Sequence, residues 1–126
     1  GMGRIGDLKE AINEDDFINY LKSTMKTKFI RHSKLLGKKI KKVSVLGGSG
    51  AFGIENSIDQ NADAYVTADL KYHNFFEAND KIVLFDIGHY ESEQFTKKLI
   101  YDYLTKKFPS FAIVLATTNT NPVNYF

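Results

Sequence analysis

The sequence predicts an α/β domain, a three-layer α/β/α sandwich around a mostly parallel or mixed sheet. Three observations lead there. Short apolar runs alternate with stretches of helical periodicity, and glycine-rich or polar turns follow the apolar runs. The chain has 126 residues, enough for one core and too few for two ordinary domains, so residues 1–126 are expected to form a single domain. Strands buried on both faces read as continuous apolar runs, which is the pattern here.

The first element is a helix. Asn13 stands at its N-cap, Glu14, Asp15 and Asp16 suit the positive end of its dipole, and Phe17, Leu21 and Met25 recur every fourth residue along one face. "KFIRH" follows as a short strand, and the stretch through "LLGKK" as a surface turn or loop. Residues 42–46 are expected to form a buried strand that runs directly into the turn Gly47-Gly-Ser-Gly50. Ile54 and Ile58 suggest a short helix, residues 64–67 a strand, and residues 72–78 a brief helix. The run Ile82-Val-Leu-Phe85 is the next strand. Phe95, Leu99 and Tyr103 then mark a long amphipathic helix, which Pro109 closes, and residues 111–116 are expected to be a last buried strand.

Composition narrows the class. With 43% hydrophobic and 25% charged residues, and no apolar run of membrane-spanning length, the chain is expected to be soluble and not to cross a membrane. Its start lacks the apolar centre of a secretory signal and it has no cysteine, so a cytoplasmic location is expected, and any metal must be held by histidine and carboxylate. Net charge is +2, but between Asp16 and Glu55 there is no acid and there are nine lysines or arginines. A block of this kind, residues 22–42, is either a solvated surface or a non-enzymatic contact for nucleic acid or a protein partner. Aromatic residues are not interleaved with it as they are on single-strand stacking platforms, which favours the solvated surface.

Ligand sites in parallel sheets lie at the carboxyl ends of strands. That rule selects the loops at 47–50, 67–73 and 86–93. Gly48-Ser-Gly50-Ala-Phe-Gly53 matches the glycine spacing of dinucleotide binders, with Asp69 at the distance expected of a ribose-binding acid, although a tight turn needs glycine for steric reasons alone. His32 is isolated, whereas His73 follows Asp69 by four positions. His89 and Glu93 are also four apart, so on a helix their side chains share a face and can reach one cation. Asp86 is placed where it can orient the His89 ring from behind. The competing reading of this segment is a plain helix start with Ser92 and the glutamates as capping residues. Two donors do not complete a zinc or iron site, which needs three protein groups.

Taken together, "GMGRIGDL", "GGSG" at 47–50, "ADAYVTADLKYHNF" at 62–75, "DIGHYESEQF" at 86–95 and "NTNPVNYF" at the end resemble the Nif-three-like family, also known as GTP cyclohydrolase type 2 homologues or dinuclear metal centre proteins. The pieces occur in the family's order across nearly the whole chain, which looks like the C-terminal half alone. The resemblance implies one half of an α/β protein built around two divalent ions, with zinc, iron or manganese not distinguished. It implies a metal-dependent hydrolase in which His89 and Glu93 bind metal, while Gly48, Ser49, Gly50, Asp69 and His73 line a cleft for a phosphate-bearing or purine-like ligand. The missing N-terminal half would carry the remaining ligands, and a ring-shaped homo-oligomer, commonly a hexamer, is the expected assembly. No histidine pair of the kind that half supplies occurs here, and Ala68 stands where similar sequences commonly carry glycine. The isolated chain is therefore expected to bind metal weakly and to be inactive.

Overall fold

Two strands that are buried at every position, Ala64–Ala68 and Val83–Asp86, form the centre of the sheet. The structure is a computed structural model and describes residues 2–125. It divides into two compact units, one through Ser92 and one from Glu93 onward.

In the first unit the strands are β1 (Arg4–Ile12), β2 (Arg31–His32), β3 (Ile40–Ser49), β4 (Ala64–Ala68) and β5 (Val83–Asp86). Their spatial order is β1-β3-β4-β5-β2. The pairs β3–β4 and β4–β5 are parallel, and both edge strands run antiparallel to their neighbours, so the sheet is mixed. Helix α1 (Glu14–Met25) covers one face, and helix α2 (Ile54–Asp59) with the 3-10 turn Tyr72–Ala78 covers the other. This is the predicted three-layer arrangement.

The pleat sorts the core into two clusters. Ala64 and Val66 of β4 and Val83 and Phe85 of β5 pack with Phe17 and Leu21 of α1. The alternate residues Tyr65 and Leu84 pack on the other side with Ile54, Leu70, Ala78 and Ile82. Phe17 meets Phe85 edge-on with ring centroids 5.3 Å apart, a favourable arrangement for two aromatic quadrupoles. Asn13 occupies the N-cap of α1 as expected, but its side chain makes no capping hydrogen bond. Glu14 has a second task besides complementing the dipole. Its buried carboxylate accepts from the amides of Leu36 at 2.7 Å and Gly37 at 2.9 Å, which fastens the loop before β3 to the start of the helix.

The expected buried strand at 42–46 is longer and more open, because β3 continues through Gly47 and Gly48 to Ser49 in place of a turn and its residues 42–46 are half-buried or exposed. Two further differences have physical causes. β1 has no counterpart in the sequence prediction because its apolar residues, Ile5, Leu8 and Ile12, do not alternate. Its pairing with β3 shifts register between Asp7 and Ile12, and such an irregularity breaks the period of two. Residues 111–116 are not a strand. Phe111 is 70% and Val114 87% exposed, and this apolar segment finds no sheet partner among the described residues.

The short helix α3 (His89–Glu93) leads from the first unit into the second, which holds helix α4 (Thr96–Lys107) and residues after it without helix or strand. Within α4, Lys98 pairs with Asp102 at 2.7 Å, one turn apart, and after it Phe108 and Phe111 meet edge to face. Leu99, Ile100 and Tyr103 are exposed. No helix among the described residues is long and apolar enough to cross a membrane.

Phe85 is fully buried between α1 and the sheet. Phe85→Ala is expected to cost about 3–5 kcal/mol, read as a lower midpoint in denaturant unfolding with the slope unchanged.

Candidate metal centre

The parallel strands end on one edge, and three of the selected side chains meet there. Ser49 closes β3, Asp69 follows β4, and His89 opens α3 after β5. The Ser49 hydroxyl donates to Asp69 Oδ2 in a short hydrogen bond. The same oxygen lies 2.6 Å from His89 Nδ1. Asp69 adopts the left-handed backbone conformation, φ 57, which aspartate tolerates better than most residues. Both Asp69 and His89 remain about half exposed.

The hydrogen bond from Ser49, and then that from His89, hold the Asp69 carboxyl below the usual carboxylate range. The positive charges of His89 and Arg31 act in the same direction, and burial opposes them. A lowered folded value means that the contribution to stability is in place above the ordinary carboxylate range and disappears as pH falls through the lowered value. Solvent screening keeps that contribution small.

The backbone of α3 is also tied to β3. Ser92 Oγ accepts from the Gly48 amide at 2.8 Å and donates to the His89 carbonyl at 2.8 Å. Glu93 is the last residue of α3, four positions after His89 in the chain.

The remaining selected residues take other places. Asp86 does not orient His89. Its buried carboxylate accepts from Arg31 Nη2, from Leu70 N at 2.9 Å and from Gly88 N at 3.0 Å, so three of its acceptor positions are taken. Asp69 is a carboxylate that meets His89. His73 lies on the 3-10 turn with its ring against Tyr72 and Phe76, and among the described residues it makes no hydrogen bond or ion pair with Asp69 or His89. Gly48 has φ +70, which glycine adopts without strain, and its carbonyl accepts from Thr67 Oγ1 at 3.2 Å.

Gly50 and Gly53 make room for the protein's own side chains. A Cβ on Gly50 would fall 2.0 Å from Thr67 Oγ1 and 2.7 Å from the Tyr65 hydroxyl, and one on Gly53 would fall 2.4 Å from that hydroxyl. Tyr65 OH donates to Gly50 O at 2.8 Å, and burial pushes its pKa up. The glycine spacing that resembles a dinucleotide fingerprint thus has a packing origin, and Asp69 is occupied by Ser49 and His89.

Arg31 escaped the sequence reasoning. It carries Asp86, and its guanidinium also donates to Leu70 O at 2.8 Å. The one available signal is its type, a lone arginine in a block of lysines after the first helix, since a planar fork suits paired acceptors. Other members of the basic block are tied within the fold: Lys34 to Asp80 at 3.1 Å, Lys41 Nζ to Lys9 O at 2.8 Å and Lys42 Nζ to Gln60 O at 3.4 Å. A cleft of about 500 Å³ opens between α1 and the sheet, with Leu8, Tyr20, Met25 and Leu46 in its walls and Thr67 and Ser92 at its upper end. Asp69 and His89 do not line it.

The motifs at 47–50, 62–75 and 86–95 therefore build one connected hydrogen-bonded edge. A family model described as Duf34/NIF3 (NGG1p interacting factor 3) matches residues 1–122. The chain belongs to the DUF34/NIF3 family. It is 34% identical over 130 residues to a "GTP cyclohydrolase 1 type 2 homolog" of Staphylococcus epidermidis, a match that covers 99% of this chain and 35% of that protein. A Staphylococcus aureus relative of the same name is 27% identical over 129 residues, covering 99% of this chain and 35% of that protein. Among solved structures, Staphylococcus aureus protein SA1388 superposes with a TM-score of 0.85 at 27% identity, covering 100% of this chain and 42% of that one. A Bacillus cereus protein related to NIF3 gives 0.83 at 29% identity, covering 100% of this chain and 36% of that one. The DUF34/NIF3 chain described here thus spans about a third of the length of the curated relatives it matches.

A divalent metal fits this edge in kind. A carboxylate on Nδ1 of a histidine is the arrangement that commonly backs a metal-ligating ring. No group of three histidine or acidic side chains able to hold an ion converges among the described residues.

Two substitutions test this part of the structure. Asp86→Ala strands the Leu70 and Gly88 amides, and is expected to cost at least about 2 kcal/mol in denaturant unfolding. Gly50→Ala is expected to cost roughly 1–3 kcal/mol through overpacking against Thr67 and Tyr65, with Gly6→Ala as the control because a Cβ there meets nothing within 4 Å.

Proposed function

We propose that this chain supplies part of a divalent metal centre in a DUF34/NIF3 protein, with His89 and Glu93 as its ligands and zinc, iron or manganese as the ion. The observation that carries this reading is the bond of 2.6 Å between His89 Nδ1 and Asp69, on the sheet edge where parallel strands place ligand sites. The remaining donors, and those for a second ion, come from polypeptide beyond this chain, in an N-terminal half and a homo-oligomeric assembly. The low share of the relatives' length that this chain covers supports that division.

The reading extends to a metal-dependent hydrolase acting on a phosphate-bearing or purine-like substrate. The names of the staphylococcal relatives support the substrate class. The chemistry a divalent cation supplies at such a site is Lewis-acid activation of water. This chain's residues have narrower roles: His89 and Glu93 bind, Asp69 and Ser49 orient, and the Gly48–Ser92 link holds α3 in place. A cytoplasmic location belongs to the same reading and suits a chain without cysteine.

Calorimetric titration of zinc or manganese into this chain is expected to show weak binding that His89→Ala and Glu93→Gln each abolish. Unchanged stoichiometry in both variants would remove the pair from the site.

A further inference from the structure

We infer that the cavity between the β1–β3 edge of the sheet and α2 is a binding site for an adenine nucleoside monophosphate: Arg4 takes the phosphate, Phe52 stacks on the base, and the amides of Asn56 and Gln60 read its edge. None of Ser49, Asp69 and His89 lines this cavity, so the inference does not rest on the metal reading above.

The cavity holds about 500 Å³, within the range of roughly 300–1,000 Å³ that small-ligand sites occupy. Its lining is of mixed character. Ile5, Val45 and Phe52 supply apolar wall, while the hydroxyls of Ser44 and Ser57, 2.9 Å apart, and the amides of Asn56 and Gln60 supply polar groups. Arg4 is the charged residue of that lining, and among the described residues no aspartate or glutamate stands with it, so an entering anion meets a fixed positive charge and no opposing one. One N–H of its guanidinium donates to Gly3 O at 2.8 Å, which leaves the rest of the planar fork for a phosphate. The cleft under α1 shares Arg4 but sets Asp7 beside it, in a mostly apolar wall. The anion therefore belongs on the α2 side. Phe52 is 65% exposed, and among the described residues no other ring meets it. An exposed ring on a cavity wall is a surface on which a flat heterocycle stacks. Asn56 lies in α2 and Gln60 at its C-cap, one turn on, and their side chains share a hydrogen bond of 2.6 Å. Whichever way the two amides face, that bond uses one donor and one acceptor, and the pair still offers both kinds. Adenine presents the matching set, its N6 amine as donor and N7 as acceptor, where the same edge of guanine presents two acceptors.

Calorimetric titration of adenosine monophosphate (AMP) into the chain, with a chelator present so that metal plays no part, tests this site alongside two-dimensional amide NMR. The wild-type chain is expected to bind AMP saturably, with amide shifts at Gly53, Ser57 and Gln60. Arg4→Gln is expected to weaken AMP about tenfold and to leave adenosine, which has no phosphate, unaffected. Phe52→Ala is expected to weaken AMP and adenosine alike, by about tenfold, and to leave inorganic phosphate unaffected. Both side chains are exposed, so both variants are expected to keep the fold, which unchanged amide dispersion verifies. Absence of saturable AMP binding by the wild-type chain would overturn the inference. Equal AMP affinity in wild type and both variants would do so as well, and would point to the lysine block instead. Amide shifts confined to residues 86–93 are a third outcome that sinks it. Zinc titrated without chelator decides the metal reading separately, and neither result carries over to the other.

Discussion

Asp86 sits at the end of β5 with almost no exposure and accepts from the Arg31 guanidinium and from the amides of Leu70 and Gly88. Burying a carboxylate costs several kcal/mol unless its oxygens are matched, and here the match comes from three separate segments. Arg31 brings the edge strand β2, Leu70 brings the turn after β4, and Gly88 brings the approach to α3. The fold is thereby closed at the same edge that carries Ser49, Asp69 and His89. Loss of this carboxylate would loosen the residues on both sides of the candidate centre at once, although Asp86 touches none of its side chains.

Much of the architecture was legible because burial imposes a pattern. The run Ile82-Val-Leu-Phe85 has no alternation, and its strand is covered on both faces; Phe17 and Leu21 recur at helical spacing, and α1 lies on the sheet by that face. β1 was not legible, because its irregular pairing with β3 scrambles the signal that reveals a strand. Residues 111–116 misled for the opposite reason: their apolar, β-branched character reads as a strand, but a strand is a relation between two segments and no sequence pattern states where the partner is.

The candidate centre was chosen from spacing along the chain, which does not carry its wiring. Spacing along one helix picked out His89 and Glu93, since a helical period is a local property. The partner of His89 was assigned by proximity in sequence, three positions back at Asp86. A carboxylate that does meet the ring is twenty residues away, at Asp69, and reaches it because β4 and β5 are parallel neighbours whose ends lie side by side. Such pairings across strand ends follow from sheet order. The glycines at 50 and 53 gave a similar lesson: their spacing resembled a phosphate cradle, and their cause is the bulk of Tyr65.

Among the described residues β1 ends the sheet with β3 beside it, so its far rim is an edge of the kind that extended peptides can pair with. Arg4, Asp7, Lys9 and Glu10 are spread along that nine-residue rim. A passing chain that zips onto it must bring ionic groups of both signs close to its own side chains, and uniform apolar intruders meet a mismatch. The charges that interrupt this strand's apolar pattern therefore also disfavour edge-to-edge pairing between copies.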